Sequence, residues 1–305
     1  MKSLWIMIAG LAVLSAVSPL GAKKNTRVEE GIRIPDTANI QVITFRKGAA
    51  LIGRVSSITG DQIVFSTDAK DTVIFIPDIG KIEEIPKSNI RNGKYWYPDP
   101  NSARLYLVPT ARPLPKGEGF VSGYYIIAPL VAYGVSDNIS ISGGGTFLLS
   151  TMIGGVYLLP KIGFSFGNYV SLAAGAAGAK AWGPEGFAPS LGALYALGTF
   201  GPPEMSATVG AGYAAYMGTT ENDTAFSFTP AFMVGGSFRI LRKMAFVTEN
   251  YMVKNWLDYS PIVTYGLRFF GEQFTLDVAF INTINYGGFS GKFPGLPVAA
   301  ITYKF

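Results

Sequence analysis

The last ten residues, Leu296 to Phe305, alternate with a period of two: Ile301, Tyr303 and Phe305 share one face, Ala300, Thr302 and Lys304 the other. The pattern recurs upstream. Phe226, Phe228, Pro230, Phe232, Val234 and Phe238 oppose Ser227, Thr229, Ala231, Ser237 and Arg239, and Phe274, Leu276, Val278 and Phe280 oppose Gln273, Thr275, Asp277 and Ala279. Strands of this kind carry a wholly apolar face and a small or polar one, and both must be accommodated. A soluble sandwich would wet one face and bury the other. Here the greasy face repeats on strand after strand, which suits an outer wall in contact with lipid around a polar interior.

Composition bears on which membrane architecture fits. The chain is 49% hydrophobic and 15% charged. After its first twenty residues no apolar run approaches the ~18 needed for a spanning helix, so hydrophobicity is spread over short segments. Thirty-seven Gly, 16 Tyr and 21 Phe fit aromatic-bearing strands joined by tight turns. With neither histidine nor cysteine, the commonest general base, the commonest metal ligand and any disulfide are excluded. Glu221-Asn222-Asp223 offers oxygens for Ca²⁺ but reads as a solvated loop. No enzymatic motif, cofactor site or metal site is expected.

Charge divides the chain. Lys23 to Glu118 holds 15 Lys/Arg and 11 Asp/Glu, whereas Gly119 to Phe305 holds 9 of each sign. A water-facing N-terminal part therefore precedes the membrane part, and no clustered basic face points to nucleic acid. Ahead of both, Lys2, the apolar stretch Leu4 to Val17 and Pro19-Leu20-Gly21-Ala22 read as an export signal over 1–22.

Residues 38–86 alternate into five short strands, at 40–45, 50–55, 62–66, 72–76 and 81–85, with turns at Lys47-Gly48, Thr59-Gly60-Asp61 and Asp78-Ile79-Gly80. A linker follows over 87–102, broken by Pro98 and Pro100 and carrying Tyr95-Trp96-Tyr97. From 103 to 305 we expect about twelve strands, at 103–113, 119–134, 138–147, 156–166, 169–180, 188–200, 205–217, 226–238, 244–254, 258–270, 273–281 and 296–305. Every second connection is short and the others are mostly longer, Gly218–Ala225 among them. Trp182 and Trp256 would form one aromatic girdle, and Phe166, Tyr169, Phe200, Phe270 and Phe305 another.

These features resemble two groups of proteins. The alternating strands and the terminal Phe305 resemble bacterial outer-membrane β-barrels, whose closing strand is read by the barrel-assembly machinery. The stretch SARLYLVPTARPLPKGEGFVSGYY, with YGVSDNISISGGG after it, is similar to the opening hairpin region of Bacteroidetes-type outer-membrane barrels. ITFRKGAALIGRVSSITGDQIVF with IFIPDIGKIEEI resembles small SH3-like or Sm-like periplasmic domains of such bacteria. The resemblance implies an all-β chain: a small five-stranded β-barrel domain, then an antiparallel up-and-down transmembrane barrel in outer-membrane lipid, with the N-terminal domain in the periplasm.

The expected function is a porin-like channel for small solutes. The alternative is a structural anchor whose N-terminal domain holds a periplasmic protein partner. A third reading is a lipid- or hydrophobe-handling barrel, for which a lateral gap beside the Pro-containing strands is the feature to seek. Candidate pore-lining charges are Lys161, Arg239, Arg268 and Asp277, with Glu249 and Lys180 on strands that alternate less clearly. Such charges either screen an open pore or pair across a filled interior and seal it.

Overall fold

The computed structural model describes residues 32–125, 128–148, 152–184, 188–220, 223–253, 261–283 and 294–305. The export signal, Trp256 and the Glu221-Asn222 pair lie outside these. The chain forms two compact units that divide near residue 96.

The N-terminal unit is a five-stranded antiparallel sheet of β1 (Asn39–Phe45), β2 (Ala50–Thr59), β3 (Gln62–Ser66), β4 (Asp71–Phe75) and β5 (Ile79–Pro86), ordered β4-β3-β2-β1-β5. Strand β2 pairs with β1 through its first half and with β3 through its second, shifting register between Val55 and Ser57. That bend wraps Ile43, Val55, Ile63, Phe65, Ile74 and Ile79 into one buried core. Gly53 permits the wrap, since a Cβ there would meet Phe65 Cε1 at 2.8 Å. A two-residue ladder, β6 (Ile90–Arg91) with β7 (Lys94–Tyr95), follows. It turns through Asn92 and Gly93, both at positive φ, as a tight hairpin requires.

The second unit is a closed barrel of twelve antiparallel strands. They are β8 (Gly119–Tyr124), β9 (Ala128–Gly134), β10 (Ile139–Leu148), β11 (Ile153–Phe166), β12 (Val170–Trp182), β13 (Ser190–Phe200), β14 (Met205–Thr220), β15 (Asp223–Leu241), β16 (Met244–Val253), β17 (Ile262–Phe270), β18 (Phe274–Thr283) and β19 (Leu296–Lys304). Each pairs with its chain neighbours, and β19 closes on β8 through Ala300–Lys304 and Phe120–Tyr124.

The strand number matches expectation, but two assignments behind it change. Residues 103–113 are not a wall strand, and 119–134 is two strands, β8 and β9, rather than one. Pro109, Pro113 and Pro115 explain the first change, because each lacks the N–H that a ladder needs. Gly218–Ala225 also departs from expectation: β14 and β15 run on to Thr220 and Asp223, so that connection is tight.

The outer face is apolar as the alternation requires. Phe228, Phe232, Val234 and Phe238 are 51–58% exposed, while Thr275, Asp277 and Ala279 are buried between the outward Phe274, Leu276 and Val278. Ile301 and Tyr303 likewise point out, Ala300 and Thr302 in. Phe166, Tyr169 and Phe200 stand exposed at the short-turn end and Trp182 at the other. Phe270 is a correction: it is buried inside, with the Arg239 guanidinium 4.8 Å from its ring centroid, and Phe269 takes the outward position.

Candidate functional site

The chain between the two sheets, Tyr97 to Glu118, does not skirt the barrel. Its residues bond to inward side chains of β8, β11, β13, β16, β17, β18 and β19, so it lies inside the wall. It is a compact hairpin without regular structure. Asp99 Oδ1 accepts from the Asn101 amide at 2.8 Å, Arg104 bridges Pro109, and Thr110 N donates to Ala103 O at 2.9 Å. The tip is Tyr106-Leu107.

Arg268 is the first anchor. It is fully buried and faces Asp277 directly across the β17–β18 ladder. Its Nε donates to Asp277 Oδ1 at 2.7 Å and its Nη2 to Oδ2 at 3.1 Å, a bidentate pair. The remaining donors go to the inner segment: Nη1 to Asp99 Oδ2 at 3.2 Å and to the carbonyls of Asn101 and Arg104 at 3.1 Å, and Nη2 to Leu105 O at 2.5 Å. Arg104 returns the contact, 3.7 Å from Asp277 Oδ2, while bonding Tyr124 Oη and, at 3.0 Å, Thr302 Oγ1.

Glu249, also fully buried, is the second anchor. One carboxylate oxygen accepts the consecutive amides of Tyr106, Leu107 and Val108 at 2.7, 3.0 and 3.4 Å, and the other accepts Tyr251 Oη. Three backbone N–H groups closing on one anion form a nest. Nothing in the sequence around Glu249 signals this nest, because the three amides are 141 to 143 residues away.

Lys161 is the third. Its ammonium donates to Thr110 O at 2.8 Å and Arg112 O at 2.6 Å. Thr199 Oγ1 accepts the Ala111 amide at 2.9 Å, and Arg112 Nη2 donates to Gly201 O at 2.6 Å. Two inward glycines make room: a Cβ at Gly163 would meet Ala111 O at 2.9 Å, and one at Gly235 would meet Leu105 Cδ1 at 2.6 Å.

Of the sequence-predicted pore-lining residues, Lys161, Glu249, Arg268 and Asp277 thus face inward and converge on one segment. Arg239 faces inward apart from them, near the short turn after β15, where it stacks on Phe270 and bonds the carbonyl of Arg242. Lys180 stands at an outward position of β12, between the inward Ala179 and Ala181 positions. The charges are therefore ligands of a filled interior, not walls of a clear bore.

Beyond the tip of the segment, toward the longer connections, lies a cavity of about 970 Å³. Leu107 and Val108 form its floor. Ala177, Ala193 and Ala214, neighbours in register across β12, β13 and β14, keep one side of it open through their small side chains. Among the described residues, none that lines it is charged. The barrel is thus segregated along its axis, with ion pairs toward the short turns and apolar surface beyond the tip.

No protein-family model matches this chain, and no curated protein matches it in sequence. Several solved structures are similar in fold. The KdgM porin in complex with disordered oligogalacturonate is 11% identical, over 62% of this chain and 98% of that one, at a TM-score of 0.43. The NanC porin is 10% identical over 61% and 97%, at 0.39. The translocator domain of the autotransporter NalP from Neisseria meningitidis is 12% identical over 62% and 86%, at 0.37. At these identities and TM-scores the likeness does not bear on solute or mechanism.

Proposed function

We propose that this chain is a porin-like outer-membrane barrel for small solutes that rests closed, with the inner segment Asp99–Leu114 as its gate. The apolar outer face and the aromatics at both ends support a bilayer position. Short turns gather at the end where β8 begins and β19 finishes, so on the usual orientation that end, and the N-terminal unit with it, faces the periplasm. Phe305 then serves as the assembly signal. The N-terminal sheet, with its bent β2, is read as an SH3-like domain of the Bacteroidetes type.

One observation carries the gated form: Arg268 and Glu249, wall residues that are both fully buried, each make several hydrogen bonds to the inner segment. Planar-bilayer recording tests it. The intact chain should conduct poorly, and deletion of residues 99–112 should open stable ion flow. Equal conductance with and without the segment would show that it gates nothing, and a folded, silent deletion variant would leave the anchor reading.

That second reading has its own support in the N-terminal unit. Edge strand β4 exposes Val73 and Phe75 at 57% and 49%, beside an edge that pairs with no other strand among the described residues and is suited to adding a partner's strand. Val73→Lys with Phe75→Lys should abolish capture of a periplasmic protein on this unit. Retained capture would exclude that edge.

A further inference from the structure

The barrel wall is uneven. Strands β8 and β9 have 6 and 7 residues, against 16 and 19 in β14 and β15. At ~3.3 Å per residue and a tilt of ~40°, six residues rise roughly 15 Å, well short of the ~25 Å apolar band of such barrels. Among the described residues these two are the shortest strands of the wall. On one flank, β19 continues above its pairing with β8: Leu296 to Val298 pair with β18 and, among the described residues, with nothing on the β8 side. On the other flank, Gly145 to Leu148 of β10 pair with β11 alone among the described residues. Pro297 takes one donor out of the free β19 edge, and Pro129 sits in β9 beside the gap.

The apolar cavity stands directly behind this low wall. Tyr124, Ala128, Leu130 and Val298, which belong to the short hairpin and its β19 flank, all line it. A bore for sugars or ions would present charged or amide side chains to its solute. Among the described residues this one presents Ala, Gly, Leu, Val and Ile, with Ser, Thr and Tyr hydroxyls as its polar side chains. Of the tyrosines, Tyr124 and Tyr157 already donate to the carbonyls of Tyr106 and Pro129. Its volume lies in the range of pockets that enclose a whole small ligand. An uncharged, linear guest is what this lining accepts, and the side facing hydrocarbon is where such a guest resides.

We infer that the cavity takes the acyl chain of a membrane lipid, entering sideways over the β8–β9 hairpin. The charged groups that anchor the inner segment stay behind the floor at Leu107 and Val108, so the chain end meets none of them. This inference rests on the bilayer position and filled lumen proposed above, and it supplies the guest that reading lacks.

Because the chain has no cysteine, single labels are clean. The full-length Ala193→Cys variant, carrying a bimane in the cavity, is reconstituted into vesicles of phospholipid brominated along its acyl chains. Leu194→Cys, outward and 65% exposed, serves as the lipid-facing control. Arg239→Cys, inward at the far end, serves as the lipid-free one. Quenching at 193 should approach that at 194 and exceed that at 239 several-fold. Adding Ala128→Lys on the low rim should reduce it several-fold.

Quenching at 193 by aqueous iodide but not by brominated lipid would overturn the inference. So would quenching by free 1-bromododecane alone, which would assign the cavity to a soluble hydrophobe. Quenching unchanged by Ala128→Lys would overturn the sideways route. Should the label at 193 prevent folding, Ala214→Cys reports on the same cavity. Conductance is independent of these readouts: a silent barrel that is quenched at 193 sinks the gate alone, and a gated barrel that is not quenched there sinks the lipid guest alone.

Discussion

Arg268 and Asp277 stand opposite one another on adjacent wall strands and share two hydrogen bonds, yet the arginine's other donors all leave the wall for the segment it encloses. The pair joins two structures at once. Arg268→Met should weaken docking of the segment by about 3–5 kcal/mol, because Asp99 and Asp277 stay buried without it. Removing both charges, as in Arg268→Leu with Asp277→Leu, should cost less than Arg268→Leu alone. A cysteine at Ser102, labelled by a membrane-impermeant maleimide, reads this out: labelling should be slow in the parent and fast in Arg268→Met. Equal rates would show that the arginine does not hold the segment.

Glu249 gives a second handle. Glu249→Gln keeps the shape and an acceptor oxygen but removes the negative charge on which three N–H groups converge. Hydrogen bonds to a charged group contribute about 1.5–3 kcal/mol each. Amide exchange at Tyr106 and Leu107 should therefore accelerate at least tenfold. Unchanged protection would mean the nest contributes nothing to docking.

Lys161→Met should act further along the segment. It removes both bonds to the Thr110 and Arg112 carbonyls while preserving bulk. Exchange of the Ala111 amide should rise by roughly 10–100-fold, with Tyr106 little affected. A uniform rise over the whole segment would instead show that it undocks as one piece.

Two glycines make a matched test of packing. Gly235→Ala drives a methyl into Leu105 Cδ1 and Thr248 O, whereas a Cβ at Gly178 meets nothing within 4 Å. The first should destabilise the folded barrel by about 1–3 kcal/mol and the second should be neutral. Heat-modifiable gel mobility compares them, and equal midpoints would deny close contact at Gly235.

The N-terminal sheet has an acid-sensitive tie. Glu84 accepts from Asn39 Nδ2 at 2.7 Å and from Arg33 Nε at 2.9 Å. The Asn39 bond holds its carboxyl below the usual carboxylate range; burial opposes it, and the bond and charge of Arg33 add to the lowering. A depressed carboxyl stabilises the fold above its unfolded pKa, near ~4.3, and the benefit fades as pH falls through the folded value. Asn39→Ala should thus cost about 0.5–1 kcal/mol at neutral pH and little in acid. A pH-independent loss in urea titrations would point to packing instead.

Much of this architecture is legible in the residues. Period-two alternation in β15, β18 and β19 marks the wall, and the same alternation places Arg268 and Asp277 inside. The inner segment was harder, since SARLYLVPTARPLP has the apolar content of a strand. Its three prolines are the local signal against one. What no local pattern carries is the reach of Glu249 and Lys161 to the segment, because those partners meet only when the wall closes.

Arg104 bonds Tyr124 on the first wall strand and Thr302 on the last, and Ser122 Oγ lies 2.8 Å from Thr302 Oγ1 beside it. The seam of the cylinder is thus stitched from within by a residue 198 positions from its partner. The inner segment is thus part of the closure itself, tying the first and last wall strands together as well as occupying the finished barrel.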